Sequence, residues 1–121
     1  MATIELDEQN LVETINNNDI VIVDFWAPWC GPCQSFAPIY EEMSEEVSDV
    51  VFAKVNTEEQ QQLAAQFQIR SIPTLMVFRE QIILYREAGA LPKQSLQQLV
   101  TQVQALDMDE VKKSLEEPEN T

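Results

Sequence analysis

The run Ile20-Val21-Ile22-Val23-Asp24-Phe25 is apolar and largely β-branched, and it ends just before Trp29-Cys30-Gly31-Pro32-Cys33. Such a run reads as a buried strand, and the residues that follow, Gln34 to Val47, have helical spacing. The chain therefore passes from strand to helix across its only two cysteines. At a helix N-terminus, unpaired backbone N–H groups and the macrodipole favour a thiolate over a thiol. The thiolate is the attacking species in disulfide exchange. Two close thiols with no third to compete suit a reversible dithiol/disulfide couple.

The remaining patterns surround that junction with further strands and helices. Thr3 to Leu6 alternates as a short edge strand, and Asp7 is placed to cap a first helix bearing Leu11, Val12 and Ile15. Asn16 to Asp19 is a turn cluster. Pro38 lies inside the long helix, where it removes a backbone hydrogen bond and predicts a kink. Val50 to Val55 reads as a third strand, and Thr57 as the cap of a third helix carrying Leu63, Ala64 and Phe67. Thr74 to Phe78 and Ile82 to Tyr85 read as a hairpin across a short polar link. Pro92 opens a last helix with Leu96, Leu99, Val100 and Val103 inward. The order βαβαβαββα predicts an α/β fold, a mixed five-stranded sheet with helices on both faces.

At 121 residues and 45% hydrophobic content the chain suits one domain with a single core. The organisation expected is a domain over 1–106 and an acidic extension over 107–121, helical or frayed. A net charge of -14 argues against nucleic acid or anionic membrane as partner. The absence of histidine removes the commonest metal ligand and the usual general base. Proton transfer must then fall to a carboxylate, a lysine or a thiol. No basic or apolar leader stands at the N-terminus, so a cytoplasmic location is expected. In a reducing compartment a cysteine pair is more often catalytic or metal-binding than structural. A bridge across two residues closes too small a loop to stabilise much, and structural zinc needs four ligands where one chain offers two. An aspartate inside a strand covered on both faces is expected to be buried and functional.

Trp29-Cys30-Gly31-Pro32-Cys33 after Val23-Asp24-Phe25-Trp26-Ala27, with Ile72-Pro73-Thr74 opening a later strand, resembles the thioredoxin family over about residues 3–105. The CxxC near a βαβ pattern is the motif by which that family is commonly known. The resemblance implies a protein-disulfide reductase with no bound cofactor beyond the Cys30–Cys33 couple. Cys30 would be the exposed nucleophile and Cys33 the more buried resolving thiol. Asp24 would exchange the Cys33 proton, through water, and Lys54 would tune Asp24. Pro73 would be cis and face the dithiol. Trp29, Ile72 and Gly89 would line the shallow target-binding surface, together with Gly31, Pro32 and Pro73. Disulfide-containing proteins and a reductase would be the partners of a monomer that touches neither membrane nor nucleic acid. A binding module or co-chaperone that uses the acidic tail is the alternative.

Three departures from the family pattern stand within the core of the resemblance. Gln34 follows the second cysteine where lysine is common, Ser71 stands where glycine is common, and the hairpin link Arg79-Glu80-Gln81-Ile82 has no glycine. The last leaves the geometry of that turn open.

Overall fold

The computed structural model describes residues 2–116. Five strands, β1 (Ile4–Glu5), β2 (Ile20–Trp26), β3 (Val51–Asn56), β4 (Thr74–Arg79) and β5 (Ile82–Ala88), form one sheet in the order β1-β3-β2-β4-β5. β1, β3 and β2 run parallel, and β4 and β5 are antiparallel to their neighbours. The helices are α1 (Leu11–Asn17), α2 (Gly31–Glu46), α3 (Gln61–Gln66), α4 (Lys93–Ala105) and α5 (Met108–Glu116).

The central strand explains its own sequence. Ile20 and Ile22 of β2 pack with Phe36, Tyr40 and Met43 of α2 and Leu96, Val100 and Val103 of α4. Val21, Val23 and Phe25 point the other way, into a cluster with Leu11 and Ile15 of α1 and Leu63 of α3. With helices on both faces, every second position has no solvent to meet, and the strand reads as an unbroken apolar run. Asp24 falls on the α2 side of that alternation and is 1% exposed. α2 continues through Pro38 to Glu46.

Two expected caps are corrected. α1 begins only at Leu11, because Asp7 closes a turn ahead of it. The Asp7 carboxylate accepts from the Gln9 and Asn10 N–H groups at 2.8 and 2.9 Å, and Asn10 Oδ1 accepts from Asp7 N–H at 2.8 Å. Thr57 caps no helix: its hydroxyl donates to the Trp26 carbonyl at 3.0 Å, and α3 starts at Gln61. Asn56 accepts the Glu58 N–H instead, at 3.0 Å.

The glycine-free hairpin turns on Glu80 (φ 50°) and Gln81 (φ 70°). Both central residues are left-handed, as a two-residue hairpin matched to strand twist requires. Beyond α4, Asp107 accepts from the Asp109 and Glu110 N–H groups and so starts α5, whose first residue, Met108, is buried. The extension thus joins the fold at its beginning, while the expectation for 117–121 lies outside the described residues.

Candidate redox-active site

The strand-to-helix junction places both cysteines at the head of α2. Cys30 is the N-cap, with Gly31 and Pro32 opening the helix. Proline costs nothing there, since its missing N–H would have had no partner. Cys30 and Cys33 are joined as a disulfide with Cα atoms 5.2 Å apart, and Cys30 Sγ accepts from the Cys33 N–H at 3.2 Å. A sulfur that caps a 16-residue helix is placed where negative charge is favoured. Both cysteines are enclosed, at 5% and 3% exposure, so the expected contrast between them is small in this oxidised form. Gln34 donates to the Pro28 carbonyl at 2.6 Å and ties the loop back to the helix. A lysine there would bring a charge; glutamine brings this tether.

The facing wall comes from the approach to β4. The Ile72–Pro73 peptide bond is cis, and the Ile72 carbonyl oxygen lies 3.8 Å from Cys30 Sγ. Gly89 donates its N–H to the Pro73 carbonyl at 2.8 Å from a backbone with φ 111°, a conformation that glycine alone adopts readily. Trp29 stands out, 68% exposed, and its indole N–H donates to the Glu58 carboxylate. Sequence reasoning missed Glu58, because nothing in a polar turn shows which distant side chain it will hold. Cys30, Cys33, Ile72 and Pro73 therefore converge, and Trp29, Gly31, Pro32 and Gly89 border them.

The carboxylate of the site belongs to the central strand, on the face that packs against α2. Asp24 Oδ1 is buried without a hydrogen-bond partner. Burial raises its carboxyl from the ordinary 3.8 to about 7; Lys54 acts against this and Glu5 adds to it. Lys54 is the register partner of Asp24 on β3, and its ammonium sits 4.6 Å from the centre of the Trp26 ring. Tyr40, from α2, places its hydroxyl 2.9 Å from the Ile22 carbonyl oxygen and 2.8 Å from that of Ala53. A carboxyl that changes charge near neutrality can take or give a proton at physiological pH.

Residues 2–102 match the family model described as Thioredoxin. The chain belongs to the thioredoxin family. A thioredoxin-type protein of Streptomyces coelicolor is 48% identical over 116 residues, 96% of this chain and 87% of that one. The thioredoxin of Mycoplasma pneumoniae is 44% identical over 94 residues, 78% of this chain and 92% of that one. Among solved structures, a mutant thioredoxin from Halobacterium salinarum NRC-1 superposes with a TM-score of 0.79 at 30% identity. That match covers 87% of this chain and 93% of the other. With its cysteine pair bonded, this chain is a thiol-disulfide oxidoreductase of the protein-disulfide reductase type, and its redox group is its own disulfide. Among the described residues no group of three or more His, Cys, Asp or Glu side chains is arranged to hold a metal. No helix among them is long and apolar enough to cross a membrane.

Proposed function

We propose that the chain reduces disulfides of cytoplasmic proteins, with Cys30 as nucleophile, Cys33 as resolving thiol and Asp24 as the group that exchanges the Cys33 proton. The Cys30 thiolate attacks one sulfur of the target disulfide, forming a mixed disulfide and releasing the other target sulfur as a thiolate. Cys33 passes its proton to Asp24 and attacks Cys30 Sγ. This forms the Cys30–Cys33 disulfide and releases the second target thiolate. Two electrons have moved to the target; a reductase partner returns two electrons to the pair, and one proton restores Cys33 while Cys30 is left as the thiolate. Trp29, Gly31, Pro32, Ile72, Pro73 and Gly89 form the surface on which an extended target segment rests, and Lys54 limits how readily Asp24 keeps its proton. The chain acts as a monomer.

The observation that carries this reading is the helix-capping Cys30 sulfur facing the Ile72–Pro73 wall. The measurement that tests it is the reduction potential in a glutathione or dithiothreitol buffer, read by tryptophan fluorescence, with Cys30→Ser as control. A value near or below the cytosolic poise is expected. A markedly oxidising value would reverse the direction of electron flow and make the chain an oxidase or isomerase.

A second reading is favoured by α5, which lies beyond the matched residues 2–102 and exposes Leu115. Here the extension is a contact for an assembly partner. Deleting residues 107–121 would then abolish partner binding and leave disulfide reduction unchanged.

A further inference from the structure

The row of residues across the sheet at Asp24 holds two carboxylates and one ammonium. Glu5 on β1 is the register partner of Lys54 on β3, and Lys54 is the register partner of Asp24 on β2. Register partners on neighbouring strands point to the same face. The face is set by their neighbours: Phe52 and Ile22, two residues before Lys54 and Asp24, pack against α2, whereas Leu6, next to Glu5, packs on the opposite side. Glu5, Lys54 and Asp24 therefore line up on the α2 side, with the lysine on the strand between the two acids and its ammonium over the Trp26 ring, 4.6 Å from the ring centre. The outer two stand two strand spacings apart, roughly 10 Å. That is about one Debye length at physiological salt, and the low-dielectric side of the pair is screened less.

We propose that Glu5 is a positioning residue for the buried acid. It competes with Asp24 for the single cation Lys54, and so the edge-strand carboxylate sets how much of that charge Asp24 receives. The inference rests on the reading of Asp24 as the proton-exchanging group.

Titratable groups reach this row from each neighbouring element. β3 supplies Lys54, the turn after β3 supplies Glu59, β1 supplies Glu5, and α2 supplies the Tyr40 phenol. β4 places apolar Leu75 opposite Asp24. Part of the Glu5 residue faces solvent, yet local desolvation raises its carboxyl above the ordinary glutamate value; Lys54 lowers it and Glu59 raises it. The Trp26 indole, near Glu5 but short of hydrogen-bond geometry, also lowers it. The same ammonium thus pulls on both acids, and Glu5 disfavours ionisation of Asp24. A hydrophobic or neutral residue at position 5 would leave Lys54 to Asp24 alone.

The test is the Asp24 titration, followed by carbon-13 NMR of its carboxyl in the oxidised protein. Wild type is compared with Glu5→Gln, Lys54→Met and the double variant. Glutamine keeps the shape at an exposed edge position, so the fold is retained. The proposal expects the Asp24 midpoint to move to lower pH in Glu5→Gln and to higher pH in Lys54→Met. It also expects the effect of Glu5→Gln to shrink once Lys54 is gone. An unchanged midpoint in Glu5→Gln overturns the proposal. A shift of full size in the Lys54→Met background also overturns it, because Glu5 would then act as a bare charge without sharing the cation. If instead the wild-type protein fails to reduce a protein disulfide, the functional reading falls while the titration result stands on its own.

Discussion

The two ends of the central strand treat their polar groups in opposite ways. At the C-terminal end of β2, Asp24 Oδ1 and Trp26 Nε1 are buried without hydrogen-bond partners, and Asp24 carries a carboxyl poised near neutrality. At the N-terminal end, Arg79 reaches from β4 to the end of α4. One guanidinium nitrogen donates to the carbonyls of Val103, Gln104 and Leu106 at 2.7, 3.3 and 3.0 Å. Its Nε makes no hydrogen bond but lies 3.6 Å from the Asp19 carboxylate, an opposite charge that the open end does not give Asp24 so closely. The Asp19 carbonyl accepts the Glu80 N–H, and Lys112 of α5 bonds to the Glu80 side chain. A guanidinium that bonds the carbonyls at a helix C-terminus is a structural device. A buried carboxyl left without a partner destabilises the fold, and that cost is what marks Asp24 as the candidate for proton exchange. The closed end ties strand to helix, and the open end carries the acid proposed to exchange a proton.

That contrast breaks most sharply at the dithiol. Cys33→Ser should abolish turnover and leave target proteins trapped on Cys30, visible by mass spectrometry without reductant. Turnover by this variant would remove the resolving role of Cys33. Asp24→Asn is expected to slow reduction by about a hundredfold, the low end of ordinary general-base contributions. The same change should stabilise the fold, with a sign fixed by linkage. The folded Asp24 holds its proton up to about pH 7, whereas an unfolded aspartate loses it near the ordinary 3.8. Between those values the native state binds more protons, so its stability falls as pH rises. The gain from Asp24→Asn should therefore be negligible at pH 4 and grow to its full size above pH 7. From that shift it is on the order of 4 kcal/mol there, an upper figure for a group that water can partly reach. Urea denaturation at pH 5 and pH 8 measures it, and a pH-independent gain would contradict the buried-acid account.

The open end was more legible in the sequence than the closed one. Asp24 announces itself because a charge inside a doubly covered strand has no solvent to face, and the cysteines because strand and helix patterns meet across them. The cis bond at Pro73 came only with the family resemblance, since residue type does not choose the isomer. Thr57, followed by Glu58, Glu59 and Gln60, imitates a helix start, but its hydroxyl is taken by a carbonyl on the neighbouring strand. Glu58 and Glu5 were missed for the same reason: their partners, Trp29 and Lys54, are distant in the chain and are brought in by the fold. Arg79 reads as a polar hairpin residue until α4 ends beside it.

Arg79→Met sharpens the other side of the contrast. It removes a charged donor from three carbonyls while keeping most of the side-chain stem. Hydrogen bonds that involve a charged group contribute about 1.5–3 kcal/mol. A loss of about 2 kcal/mol in unfolding free energy is expected, with the reduction potential and the Asp24 titration unchanged. A shift in either would mean that the closed end communicates with the open one.

The smallest effect is expected at the hairpin tip, where conformation alone is at stake. Gln81 holds φ 70° with no side-chain hydrogen bond among those seen in the described residues. A non-glycine residue in the left-handed region costs roughly 1–2 kcal/mol relative to its preferred conformations, whereas glycine reaches it freely. Glycine also has more freedom to lose on folding, which offsets part of that gain. Gln81→Gly should therefore stabilise the protein by about 0.5–1 kcal/mol, measurable as a raised urea midpoint at unchanged slope. Glu80 is the wrong residue for this test, because its carboxylate also holds Lys112 and the two contributions would oppose each other. A destabilised Gln81→Gly variant would show that the side chain, and not the turn conformation, is what the closed end retains at this position.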